Sequence, residues 1–171
     1  GSNVVWWDGR DPNAQDDIIV NGEFHLPVGV PVQVDFRSED VIHSAYMPHF
    51  RAQMNVVPGM ITQFSFTPTV TSEDIRDTEY MKEKIARIQE IRKENNKELV
   101  AQGEEPLADY DQFEYYLLCN KICGVAHYNM QMKIVVETQA EFDAWMAEQK
   151  KFSETMEPVD GSNAEVAQVE K

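Results

Sequence analysis

Five side chains that bind soft metal ions lie in two short segments of the sequence. The segment CNKICGVAHYNM contains Cys119, Cys123, His127 and Met130, at successive spacings of four, four and three residues. A second imidazole, His43, lies in the upstream segment EDVIHSAYMP, at the end of a strand-like run. Thiolate and thioether sulfur stabilise Cu(I), whereas imidazole also supports Cu(II). This set of residue types therefore favours copper.

The second cysteine indicates a site for two metal ions. A mononuclear blue-copper site uses one thiolate, two imidazoles and a weak methionine ligand, so a second thiolate is superfluous there. Two thiolates can instead each bridge two ions. One copper ion can then bind His43 and the other His127, while Met130 fills a weak fourth position.

Other kinds of site use some of the same residues. Two cysteines in a secreted domain ordinarily form a disulfide, which would make Cys119 and Cys123 purely structural. A Cys₂His₂ set is also a closed structural zinc site, although the methionine and the strand-rich surroundings argue against zinc. A copper-delivery or metal-storage protein is a third alternative, and it would bind and release a single Cu(I).

Apolar residues that alternate with polar ones predict the strands that position these ligands. A strand over residues 113–118 leads directly into the Cys119 segment, and residues 41–43 form a short strand that opens into a loop at 44–48. The other alternating positions are Val30, Val32, Val34 and Phe36, then Thr62, Phe64 and Phe66, then Met132, Ile134 and Val136.

A charged segment interrupts these strands. Residues 71–114 contain 13 acidic and 7 basic residues, with Met81, Ile85 and Ile88 at helical spacing. The pattern predicts a charged amphipathic helix, or a helical hairpin, inserted at about 72–105. Such a face is usually exposed to solvent, and the alternative is that it docks on a neighbouring subunit or an electron donor.

The two ends of the chain differ from the central domain, which we place at residues 17–152. Residues 1–16 are predicted to be an irregular lead-in, and the first two residues are typical of a cleaved purification tag. Thr138 with Glu141 forms a capping-box pattern and predicts a C-terminal helix. The polar, acidic residues 153–171 are predicted to be a disordered tail.

The overall charge excludes one class of partner. The chain carries 30 acidic and 15 basic residues, a formal net charge of −15, whereas nucleic-acid binding needs clusters of Lys and Arg. The charge suits a basic protein partner or simply maintains solubility.

No run approaches the roughly 18 apolar residues of a membrane helix, and the N-terminus does not resemble a signal peptide. The chain is therefore expected to be a soluble piece of a longer, membrane-anchored parent.

The residues around the candidate ligands match the sequence pattern of a known protein family. The sequence resembles the soluble copper-A domain of cytochrome c oxidase subunit II, over roughly residues 17–70 and 113–150. That family has a strand ending in V-I-H-S, a proline-bearing loop, a P-G turn, and a final C-x-E-x-C-G-x-x-H-x-x-M segment. The matching residues here are Val41, Ile42, His43 and Ser44, then Pro48, Pro58 and Gly59, then Cys119, Cys123, Gly124, His127 and Met130.

The resemblance implies a fold and a set of metal ligands. The fold is an all-β, cupredoxin-like Greek-key sandwich or barrel, with the helical insertion and the C-terminal helix as additions. The cofactor is a mixed-valence pair of copper ions bridged by both cysteines, with two ring nitrogens, a weak axial methionine and one backbone carbonyl. The implied ligands are His43, Cys119, Lys121 (through its carbonyl), Cys123, His127 and Met130.

The resemblance also implies a function. The domain accepts electrons from a c-type cytochrome and passes them to haem in oxidase subunit I, on the periplasmic side of a bacterial inner membrane. It is not catalytic alone, because oxygen reduction belongs to the partner subunit. The copper-A domain of nitrous oxide reductase carries the same ligand motif and is the main alternative.

Three residues depart from the family pattern. Lys121 stands where family members usually carry a Glu that helps to hold a magnesium ion at the border with subunit I. Gln53 and Asn55 replace two charged family positions between the loop proline and the P-G turn. The copper ligands are expected to be unaffected, because a backbone carbonyl does not depend on its side chain, whereas the subunit I border is expected to differ.

Overall fold

The computed structural model describes residues 3–6 and 17–155, and these residues form mainly short strands. The elements within the described residues are β1 (Asn3–Trp6), β2 (Ile18–Asn21), β3 (Glu23–Pro27), β4 (Val32–Phe36), β5 (His43–Met47), β6 (Ala52–Val56), β7 (Thr62–Phe66), α1 (Ser72–Asp77), α2 (Glu79–Ala101), β8 (Tyr115–Cys119), β9 (Gln131–Glu137), α3 (Gln139–Glu148) and α4 (Phe152–Thr155).

The strands form one large sheet and two strand pairs. The large sheet has the order β3-β9-β8-β5-β6. Within it β3 and β9 are parallel, and the other neighbours are antiparallel. Strands β4 and β7 form a separate antiparallel pair, as do β1 and β2. Neighbours that are distant in sequence, such as β3 and β9, show that the chain crosses over between strands that do not follow one another in sequence.

The core lies between the large sheet and the β4–β7 pair. Leu26, Ile134 and Val136 of the large sheet are fully or almost fully buried. Alternate residues of β4 and β7, including Phe36 and Phe64, pack against this cluster, as the period of two predicted. The predicted all-β sandwich is therefore confirmed.

The helical insertion is confirmed, and it consists of two consecutive helices followed by an extended return segment. The hydroxyl of Thr71 accepts a hydrogen bond from the Asp74 amide at the start of α1, and Thr78 similarly caps α2. The return segment runs back along α2, where the amide side chain of Asn96 both donates to and accepts from the backbone of Leu107. The insertion is thus not a helical hairpin.

Several side chains attach this insertion to the sandwich, among them Ile75 and Ile85, which pack against the core, and Ser72, which accepts a hydrogen bond from the Val136 amide. Met81 is the buried residue of α2, and it belongs to the main core cluster. Arg76 of α1 donates to the Phe113 carbonyl at 2.8 Å and to the Glu114 carboxylate at 2.6 Å. Along the rest of α2 most side chains are exposed, in line with the predicted solvated helix face.

The predicted capping box of the C-terminal helix is present. The Thr138 hydroxyl accepts from the Glu141 amide, and the Glu141 carboxylate accepts from the Thr138 amide. The side chain of Trp145, on the same helix, stacks on the ring of His25 in β3, with 4.3 Å between ring centroids. The helix therefore packs on the edge strand of the large sheet.

Three boundaries differ from the sequence predictions. Within the lead-in predicted as irregular, residues 3–6 form β1, because the β-branched sequence NVVW favours a strand and can pair with β2. His43 begins β5, and residues 44–47 continue this strand instead of forming a loop, because they pair with β6 and β8. Residues 153–155 of the predicted tail belong to α4, and the rest of the tail lies outside the described residues.

Among the helices of the described ranges, none combines the length and the apolar character that a membrane-spanning segment needs.

Candidate metal centre

Strand pairing brings the two halves of the ligand set together. Strands β5 and β8 are antiparallel, with Ala45 opposite Cys119. The start of β5 therefore lies beside the end of β8, and His43 comes next to the first cysteine although 76 residues separate them in sequence. A hydrogen bond from the Asn120 amide to the Ser44 carbonyl, 3.3 Å long, extends this pairing beyond the strand.

The remaining ligands lie on the loop that joins β8 to β9. The Cys119 amide donates to the Met130 carbonyl at 3.0 Å, which closes the base of this loop. A 3-10 helix over His127–Asn129 follows a turn in which the His127 amide donates to the Gly124 carbonyl. Gly124 has φ 138°, in the region that favours glycine. The turn places the second imidazole above the cysteines.

The six predicted ligand positions form one contiguous cluster. The two cysteine sulfurs are 3.8 Å apart. The Cys119 sulfur lies 3.8 Å from Nδ1 of His43, and the Cys123 sulfur lies 3.5 Å from Nδ1 of His127 and 3.7 Å from the Met130 sulfur. Ligand atoms of His43, Cys119 and Cys123 all lie within 4.8 Å of one another.

Lys121 contributes its backbone to this cluster. Its carbonyl oxygen lies 3.3 Å from the Cys119 sulfur, whereas its side chain is exposed to solvent. Because this oxygen belongs to the backbone, its position beside Cys119 does not depend on the identity of the side chain at residue 121.

The spacing of the donors fits copper ions held by shared sulfur. Both cysteines are free thiols, and their separation is well beyond the roughly 2.05 Å of a disulfide bond. Each neighbouring pair of donors is closer than twice a metal–sulfur bond of about 2.3 Å. One ion can therefore contact two neighbouring donors, and the mixture of thiols, imidazoles and a thioether matches the preferences of copper.

The sequence reasoning missed one residue of this centre, Asp40. Its carboxylate lies 2.8 Å from Nε2 of His43, the ring nitrogen that faces away from the cysteines. A carboxylate three residues before a candidate ligand histidine is a signal that could have been read, because metal-binding histidines usually donate their other N–H to such a group.

The electrostatics of Asp40 and His43 follow from this contact. The hydrogen bond from His43, aided by the Val41 amide and the Ser38 hydroxyl, lowers the pKa of the Asp40 carboxyl to about 2. The same hydrogen bond is the main cause that raises the pKa of His43. Asp40 is therefore a carboxylate at every physiological pH.

The two thiols differ in acidity. Burial would raise the pKa of the Cys119 thiol, but backbone hydrogen bonds at Ser44 and Lys121 and the His43 side chain outweigh it and lower that pKa to about 6. Burial and the neighbouring Cys119 raise the pKa of Cys123. A negative charge on one sulfur disfavours a second charge beside it.

This difference predicts unequal alkylation in the metal-free protein. The thiolate is the reactive form, so at pH 7 iodoacetamide should label Cys119 well before Cys123. Labelling of Cys119 should fall as the pH drops through about 6, and labelling of Cys123 should require alkaline pH. Mass spectrometry of the alkylated peptides between pH 5 and pH 10 measures both rates, and equal rates at pH 7 would contradict the assignment.

The ligand loop also presents exposed apolar side chains. Ile122 is 88% exposed, Val125 98% and Tyr128 88%, and all three lie between Lys121 and Met130 in sequence. Large apolar residues grouped on one loop are typical of a surface that contacts another protein.

Comparisons of sequence identify relatives of this chain. No protein-family model matches it. Over 144 residues, 84% of this chain, it is 34% identical to an alternative cytochrome c oxidase subunit 2 from Bradyrhizobium diazoefficiens. It is also 27% identical, over 76% of its length, to cytochrome c oxidase subunit 2 from Thermostichus vulcanus. The chain spans 37% and 27% of the lengths of these two relatives.

A solved structure with a similar arrangement is the periplasmic domain of subunit II of cytochrome oxidase from Bradyrhizobium japonicum. It is 19% identical to this chain, with a TM-score of 0.48, and the match covers 85% of this chain and 72% of that one. The sequence relatives confirm the resemblance predicted from the ligand pattern: over most of its length, this chain is related to one part of cytochrome c oxidase subunit 2.

Proposed function

We propose that this chain is the electron-transfer domain of a haem-copper oxidase and that it binds two copper ions. The observation that carries the proposal is the cluster of two thiols, two imidazole Nδ1 atoms and a thioether, each within 3.8 Å of a neighbour. The relatives named cytochrome c oxidase subunit 2 support it independently. When bound, a pair of copper ions would supply a carrier for one electron at a time.

The chain itself fixes the positions of the donor atoms. Cys119 ends a strand in the middle of the large sheet, and His43 begins the neighbouring strand. Paired strands resist displacement better than a free loop does, so the pairing of β5 with β8 would hold these two donors in place around a bound ion. The closed base of the β8–β9 loop holds the other three side-chain donors in the same way.

The proposed partners are a c-type cytochrome as electron donor and oxidase subunit I as the haem-bearing acceptor. The exposed side chains of Ile122, Val125 and Tyr128 give a partner an apolar surface beside His127, and the net charge of −15 favours a basic donor. In this proposal the domain lies on the periplasmic side of a bacterial inner membrane, attached to a membrane-anchored parent.

Metal content and spin counting test the proposal. After reconstitution with copper, the protein should contain two copper ions per chain by elemental analysis. Electron paramagnetic resonance of the one-electron-oxidised state should show one unpaired spin for the two ions. Reduction by a ferrous c-type cytochrome should be fast at low ionic strength and slower in salt, because steering between exposed charges is screened.

Other results would select a different function. One Cu(I) per chain that a chelator removes readily would indicate copper delivery, and one tightly bound zinc ion would indicate a structural site. Either result would overturn the proposal, and so would failure to bind copper when both thiols are shown to be reduced.

A further inference from the structure

We infer that Asp40 is a positioning residue for the metal ligand His43, an inference that rests on the proposed copper site. The carboxylate accepts a hydrogen bond from Nε2–H of the imidazole at 2.8 Å. With its proton on Nε2, a neutral imidazole has its lone pair on Nδ1, and this is the nitrogen that lies 3.8 Å from the Cys119 sulfur. Asp40 thus selects the tautomer that can bind a metal ion within the cluster.

The carboxylate is itself held in place by the turn that precedes β5. The Ser38 hydroxyl lies 3.1 Å from Oδ1 of Asp40 and 2.6 Å from the Val41 carbonyl oxygen. The Ser38 side chain thus lies between the carboxylate and the backbone at Val41, and an acceptor placed in this way favours one orientation of the ring that it contacts. The arrangement is that of a carboxylate, a histidine and a metal ion in series.

The exposure of Asp40 and His43 distinguishes two possible effects of Asp40: orientation of the imidazole ring and the influence of its negative charge. The side chain of Asp40 is 69% exposed, whereas that of His43 is 15% exposed. Solvent screens the negative charge of an exposed carboxylate, so its electrostatic effect on the metal centre is small. The directional hydrogen bond to the mostly buried His43 ring is not weakened in this way. An uncharged acceptor of the same shape should therefore substitute well for Asp40.

Three variants separate these contributions. Asp40→Ala removes the acceptor, Asp40→Asn keeps an acceptor oxygen without the charge, and Glu39→Ala removes a charge at the adjacent position. Glu39 is exposed, and no hydrogen bond or ion pair links it to another residue of the described ranges. Copper affinity is measured by competition with a chelator, and the His43 tautomer by ¹⁵N NMR of the metal-free protein at pH 8.

The expected results follow from the effect of removing such a partner, which typically lowers metal affinity 10- to 100-fold. The copper affinity of Asp40→Ala should fall by an amount in this range, and both neutral tautomers of His43 should be populated. Asp40→Asn should stay within about threefold of the unsubstituted protein and keep the Nε2–H tautomer, and Glu39→Ala should match the unsubstituted protein in both measurements.

Two outcomes would overturn the inference alone. One is Asp40→Ala protein that binds copper as tightly as the unsubstituted chain with an unchanged tautomer. The other is Glu39→Ala protein that loses as much affinity as Asp40→Ala, since this would make the effect one of general charge. Failure of the unsubstituted chain to bind copper would instead overturn the proposed function.

Discussion

Replacing Cys119 by serine is expected to abolish the two-copper centre. The Cys119 sulfur contacts His43, Cys123 and the Lys121 carbonyl, so its loss removes the donor that connects the upstream histidine to the rest of the cluster. A serine hydroxyl is a hard donor that does not replace a thiolate for Cu(I). Elemental analysis should show less than two copper ions per chain, and the shared-spin signal should disappear.

A matched control comes from the same loop. Lys121→Ala retains the backbone carbonyl at 3.3 Å from Cys119 and alters only an exposed side chain. Its copper content and its paramagnetic spectrum should therefore match those of the unsubstituted protein. A Cys119→Ser protein that kept both ions and an unchanged spectrum would contradict a shared-sulfur site, and loss of copper in Lys121→Ala would show that the lysine side chain takes part.

The local part of the candidate metal centre could be predicted from sequence because its residues follow one another closely. Cys119, Cys123, His127 and Met130 span only twelve residues, from the last residue of β8 to the residue before β9, so their spacing can be read directly from the sequence. The prediction of His43 depended on a different kind of evidence, namely the V-I-H-S segment and the family resemblance. Its approach to the cysteines is produced by the β5–β8 register, which no local pattern specifies.

The contacts that orient the ligands were harder to predict. Asp40 reaches His43 because residues 39–41 form a bend before β5, and the sequence indicated neither this bend nor the strand start at His43. In the insertion, by contrast, the charge and the helical spacing of the apolar residues did predict the helices. The attachment of Arg76 to Glu114 depends on two residues 38 positions apart, and such pairings follow from the tertiary fold.

Arg76→Met is expected to destabilise the domain by about 2 kcal/mol, which corresponds to roughly a thirtyfold change in the unfolding equilibrium. The guanidinium donates to the Phe113 carbonyl and to the Glu114 carboxylate, and the Glu114 side chain is only 10% exposed. Removing one partner of a buried pair leaves the other charge poorly compensated. Lys133, at 3.5 Å from Glu114, limits the loss.

The matched control for this prediction is an ion pair of similar length on the exposed part of the same insertion. Lys97 lies 2.6 Å from Glu94, and both side chains are more than 60% exposed. Lys97→Met should therefore change the free energy of unfolding by less than about 0.5 kcal/mol. Urea denaturation followed by circular dichroism compares the two variants. Equal stabilities would mean that Arg76 does not anchor α1 to the start of β8, and that the apolar side chains of Ile75, Met81 and Ile85 suffice to attach the insertion to the core.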